Sequence, residues 1–230
     1  MKSDGPVGST KRVSERADAP RGLEPAAPAS AKQSGVVGVP AVSASLVTGL
    51  RLLVGELGIG AEVRARVLAA DPFAKHWVDT PPEGGWSPVD RYLAVWRAVG
   101  TLVGDERLRE LGRVRFEHAM DSGSLAPILR SWARTLRHDP DELVKVAPHL
   151  WRGISQNLGE LRVLSNESGS AHLRFETDHP LLLTCRPWQC VMEGWGLGLV
   201  RLIRGEDGPE LAARVFVGDT GRLDVLLVWR

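Results

Sequence analysis

The sequence predicts an α+β fold: a helical amino-terminal layer, then a four-stranded antiparallel sheet with one long helix packed on it. Three observations carry this. Apolar residues recur at helical spacing through residues 40–156, the period changes to two in four later runs, and a long apolar helix separates the first two runs from the last two. Helices first and then the order strand, strand, helix, strand, strand (ββαββ) describe a segregated α+β domain.

Residues 1–37 are rich in Pro, Ala, Ser, Gly and mixed charge. Such a segment cannot bury enough surface to offset its ordering entropy, so a disordered tail is expected. One domain follows over 38–230, helical over 40–156 and ββαββ over 157–230. Leu46, Leu50, Leu53 and Leu57 share a face and predict a helix over 42–57, stopped near Gly58-Ile59-Gly60. A short helix is expected over Glu62–Ala70, and the run from Asp71 to Trp86, with its prolines and glycines, reads as a loop.

Ser87-Pro88-Val89-Asp90 has the form of a helix start, with Ser87 as N-cap and Pro88 in the first turn. That helix buries Val89, Tyr92, Leu93, Trp96, Val99 and Val103. Asp105 opens another, with Leu108, Leu111, Gly112, Phe116 and Ala119 inward and Arg107, Arg109, Arg113 and Arg115 mostly outward. A third begins near Gly123-Ser124 and carries Leu125, Ile128, Leu129, Trp132 and Leu136. The cap signal Asp139-Pro140-Asp141-Glu142 opens a fourth, which turns Leu143, Val146, Ala147, Leu150, Trp151 and Ile154 inward.

Alternation then predicts strands over 158–165 and 171–177 around a hairpin loop, and over 211–217 and 223–229 around Gly218-Asp219-Thr220-Gly221. Between the pairs, Trp188, Val191, Met192, Trp195, Leu199, Leu202 and Ile203 draw one apolar stripe, and a helix over 187–203 is expected.

With 29 basic and 28 acidic residues the chain has no global field, and no nucleic-acid partner is expected. No run reaches the roughly 18 apolar residues of a membrane span, and no apolar signal core opens the chain, so a cytoplasmic protein is expected. No catalytic set emerges: Ser131, His138 and Asp139 lack the Gly-x-Ser-x-Gly elbow.

The stretch from His179 to Gly205 concentrates the candidates. Trp188, Met192 and Trp195, with Glu193, His179 and Trp132, are read as the lining and polar anchors of a small-ligand pocket, although the same tryptophans suit a plain core. Cys185 and Cys190 form a thiol pair, read either as buried structural thiols or as a redox pair whose pKa the helix dipole lowers. No metal site is expected, because zinc needs about four ligands and no further cysteine or histidine pair accompanies them. Gly194 and Gly198 each cost roughly 1 kcal/mol in a helix interior. Close packing on a strand or helix, room for a ligand, or the same helix of a second subunit would offset this. Glu193 pairs with Arg186 or Arg201 at the surface in the simplest reading. The arginines of the second helix could bind an anion, but Glu106, Glu110 and Glu117 interleave with them and suggest a solvated, ion-paired face.

Cys185 and Cys190, the run Glu193-Gly194-Trp195-Gly196-Leu197-Gly198-Leu199 and the closing Val228-Trp229 resemble the superfamily of 4-vinyl-reductase-like and haem-NO-binding-like sensory domains. Leu111-Gly112-Arg113 and Asp121-Ser122-Gly123-Ser124 are similar to paralogous families of that superfamily in myxobacteria. The resemblance covers about residues 40–230 and implies a helical layer, two strands, a helix with a Gly- and Cys-rich start and a closing hairpin. Vinyl-reductase-like domains carry further cysteines in the closing hairpin, and Val215 to Trp229 has none. Haem-binding relatives use an axial His from the helical layer, for which His118 is the candidate. A lone helical His is far more often a core or surface residue, so no cofactor is expected. The resulting expectation is a non-enzymatic sensory or adaptor domain for a small apolar ligand. The alternative is a homodimeric protein–protein interaction module without a ligand.

Overall fold

A computed structural model describes residues 38–80, 84–122, 126–127, 130–131, 140–167, 169–177, 179–204, 211–218 and 222–229. The expected tail over 1–37 and most of the third expected helix, Trp132 included, lie outside the described residues.

A small three-stranded sheet gathers the ends of the helical layer. Its order is β2-β1-β3, from Trp86–Pro88 (β2), Ala41–Ser43 (β1) and Ser155–Gln156 (β3). Strand β1 runs directly into α1 (Ala44–Glu56), with Ser43 accepting a hydrogen bond from Ser45 N as its cap. Helix α2 (Gly60–Ala70) follows. The expected loop after it contains structure: Pro72–Ala74 form a 3₁₀ turn and Lys75–Asp79 form α3. Asp71 caps this turn by accepting from Phe73 N at 2.9 Å, a local signal hidden among the prolines and glycines around it.

The next helix, α4 (Val89–Ser122), starts one residue later than its sequence signal suggests, because Ser87 and Pro88 are claimed by pairing with Val42 and Ala41 in β1. Gly104 breaks α4 into two segments at φ 78°, ψ 170°, where the sequence places the start of a second helix. The first segment holds the helical core, with Trp96, Leu93 and Val99 fully buried. Helix α5 (Pro140–Ile154) begins at its expected proline and returns the chain to β3.

The main sheet has the order β4-β5-β7-β6, from Glu160–Glu167 (β4), Ser170–Glu176 (β5), Leu223–Trp229 (β7) and Leu211–Val217 (β6), all antiparallel. Ala171, Leu173 and Phe175 alternate inward on β5, as do Leu223, Val225, Leu227 and Trp229 on β7. A register shift between Val163 and Ser165 bends the outer strand β4. Between the hairpins run α6 (Pro180–Thr184) and α7 (Arg186–Arg204), so the expected central helix is present with a short helix before it. The architecture is α+β, as the sequence predicts.

Helices α4 and α7 touch backbone to backbone. A Cβ on Gly194 would lie 2.0 Å from Arg109 O, and one on Gly112 would lie 2.3 Å from Val191 O. A Cβ on Gly198 would press on Phe116. This close approach offsets the helix-propensity cost of the glycines. The same approach fills their face from within the chain, so Gly194 and Gly198 present no surface to a second subunit.

Candidate ligand-binding site

A cavity of about 620 Å³ lies between the helical layer and the main sheet. Its depth is apolar: Trp151 and Ile154 of α5, Phe116 of α4, Leu199 of α7, and Leu173 and Leu227 of the sheet. Its rim follows the exposed line Ser45, Thr48, Leu52 and Glu56 along α1 and reaches His118 near the end of α4. The 3.6-residue period explains this line, since positions spaced by three or four residues share one side of α1 while Leu46, Leu50 and Leu53 go to the core.

Arg115 forms part of the wall between rim and depth. Its Nη2 donates to Leu46 O at 3.3 Å, and its buried Nε has no hydrogen-bond partner. Burial pulls the guanidinium pKa below its ordinary value, against the opposing charges of Tyr92 and Glu56. The guanidinium crosses α1 over Gly49, where an added Cβ would come within 2.6 Å of Nη2. The sequence predicts Arg107, Arg109, Arg113 and Arg115 mostly outward; Arg107 is exposed as expected, the other three are half-buried, and among the described residues only Arg113 has the expected helical ion pairs, to Glu110 and Glu117.

Of the residues expected to form a pocket, Met192 and Trp195 line the cavity. Trp195 packs at 60° to Phe116 with ring centroids 6.1 Å apart, and its buried Nε1 has no partner. Trp188 sits behind the wall, against Trp151 and Phe175. His179 lies elsewhere, with Nε2 3.3 Å from Asp90 Oδ1. Trp132 is outside the described residues.

Glu193 pairs with Arg186 as expected, but inside the protein and off the cavity lining: it is 1% exposed, and its carboxylate joins three elements. Arg109 of α4 donates to Oε2, Arg186 of α7 lies 3.4 Å from Oε1, and Val215 N of β6 donates to Oε1 at 3.1 Å. Of the two readings of the cysteines, the structure agrees with buried structural thiols and not with a redox pair of lowered pKa. Cys185 caps the end of α6 rather than opening α7, and both thiols are free and buried. Burial pushes Cys185 up and Cys190 up to about 12, overriding any helix dipole. A thiol reagent at pH 8 is therefore expected to leave both cysteines unmodified in the native protein and to label both after denaturation. Rapid native labelling, followed by mass spectrometry, would contradict this. Among the described residues no group of three or more His, Cys, Asp or Glu is placed to hold a metal ion.

No family model and no curated protein matches the sequence. Solved structures do match the fold. The ferrous unliganded H-NOX protein from K. algicida superposes with a TM-score of 0.52 at 12% identity, over 82% of this chain and 96% of that one. A single-substitution mutant of the same protein gives a TM-score of 0.55 at 12% identity, over the same 82% and 96%. The chain has the H-NOX fold. At this identity the likeness to H-NOX proteins is one of fold alone, and the residues lining the cavity of this chain are read on their own chemistry.

Proposed function

We propose that the protein is a non-enzymatic sensory or adaptor domain that holds one small, mainly apolar ligand in the cavity between its layers. The observation carrying this reading is that both halves of the fold build one wall. Helices α1, α4 and α5 supply one side, and α7 with the sheet supplies the other. A ligand there bridges the two halves, so its arrival alters how they pack, which is what a sensor requires. A volume near 620 Å³ falls within the roughly 300–1,000 Å³ typical of small-molecule sites. The shared H-NOX fold supports the same class of role.

Haem does not suit this wall. A haem iron needs an axial base held in a shielded wall. His118 is the one imidazole on the wall among the described residues, and it is exposed at the rim. Cys185, Cys190 and Tyr92 are buried away from the cavity. Met192 has no shielded partner base.

The test is native mass spectrometry of the protein purified from its own host, with the neutral dye Nile red as a reporter. One adduct per chain is expected, displaceable by the dye. Ala119, on the wall contributed by α4, offers a place to fill the void. Ala119→Phe is expected to abolish dye binding while leaving the melting temperature unchanged or higher. A wild-type protein that binds neither adduct nor dye would overturn the reading.

A further inference from the structure

We propose that the cavity takes an amphiphilic monocarboxylate, its head on Arg115 just inside the rim and its hydrocarbon chain in the apolar depth against the sheet. This rests on the ligand-binding reading above and assigns the ligand's chemical class.

Charge balance is the first argument. Among the described residues Arg115 has no ion pair, and its one hydrogen bond is the 3.3 Å contact to a main-chain carbonyl. A desolvated guanidinium with an unpartnered Nε needs an acceptor, and a purely hydrocarbon ligand would leave it without one. Glu56 at the rim acts on Arg115 only through its field, without an ion pair.

The kinds of polar atom give the second. Among the described residues, the two buried wall groups lacking partners, Arg115 Nε and Trp195 Nε1, are donors. A carboxylate is purely an acceptor. Among the described residues Arg115 is the one arginine or lysine on the wall, and one such cation suits a single negative charge better than a phosphate dianion.

Position is the third. Four of the five rim residues, Ser45, Thr48, Glu56 and His118, are polar and exposed, with Leu52 the apolar exception; Arg115 comes next, and Trp151, Leu173 and Leu227 lie beyond. Polarity therefore falls from mouth to depth, as it does along a fatty carboxylate. Gly49 adds an independent sign that the guanidinium's position matters, because any side chain there would displace it.

The experiment titrates the full chain with dodecanoate and with dodecan-1-ol, each below its micellar concentration, following tryptophan fluorescence and calorimetry. Dodecanoate is expected to bind more tightly than the alcohol. Arg115→Met is expected to weaken dodecanoate about tenfold to a hundredfold, the worth of one charge-assisted hydrogen-bonded contact, and to leave dodecan-1-ol unchanged. Gly49→Ala keeps the arginine but moves its flexible end, and is expected to produce the same selective loss in a folded protein. Equal affinity for acid and alcohol, unaltered by either variant, would overturn the carboxylate assignment while leaving the cavity reading intact. Failure of both amphiphiles and of Nile red would overturn both readings.

Discussion

Gly194→Ala is expected to cost about 3 kcal/mol of stability, measured by chemical denaturation, although alanine is the better helix former. The two effects oppose each other. Helix propensity favours alanine by roughly 1 kcal/mol. Against it, the new methyl would sit 2.0 Å from Arg109 O and 2.8 Å from Arg113 N, which are backbone atoms of α4 with no rotamer to yield. Helix α4 must move, and overpacking that shifts backbone lies at the upper end of the usual range of about 1–3 kcal/mol. Gly112→Ala, on the opposite side of the crossing, should behave alike. Gly55→Ala provides the control: nothing lies within 4 Å of its added Cβ, so the same change on α1 should stabilise by up to about 1 kcal/mol. If Gly194→Ala were as harmless as Gly55→Ala, the α4–α7 crossing would not be as tight as described.

Glu193→Ala is expected to cost about 2–3 kcal/mol. Removing one partner from a buried pair commonly costs about 3–5 kcal/mol, because the other charge is stranded. Here the side chains of Arg109 and Arg186 retain 29% and 42% exposure and can turn to water, which lowers the figure. The buried Val215 N–H cannot, and its lost acceptor sets the floor. Glu193→Gln keeps an oxygen for that N–H and should lose about half as much. The check is a denaturation series with Glu167→Ala, an exposed carboxylate, as reference; equal losses at both positions would refute the clamp.

Elements governed by local periodicity were legible in the sequence. The alternation in 211–217 and 223–229 places β6 and β7 at their observed bounds, and the cap before Pro140 places the start of α5. The cavity was only half legible, through Met192 and Trp195. Its other wall comes from the sides of α1 and α4, and a position facing an internal void carries the same residue types as one facing solvent. Arg115 therefore read as a surface residue. Gly49, unexplained in the middle of a helix, was the available signal. Trp188 and Trp151 show the converse: both tryptophans are buried and touch, and only the packing of the sheet decides that Trp151 borders the void. At Ser87, pairing with Val42, distant in sequence, outweighs a cap signal confined to four residues.

The Glu193 carboxylate also reaches the edge of the main sheet. In the order β4-β5-β7-β6, strand β6 lies at the border of the main sheet, and a border strand offers unpaired N–H and C=O groups to any other extended chain. The Val215 N–H is taken by Glu193 from α7. At the opposite border, β4 carries Glu160, Arg162 and Glu167 and is bent by its register shift. Each border is thus guarded by a different device, an inserted carboxylate on one side and charge with a bulge on the other. The carboxylate that joins helix to helix also takes one of the N–H groups that a fifth strand would need.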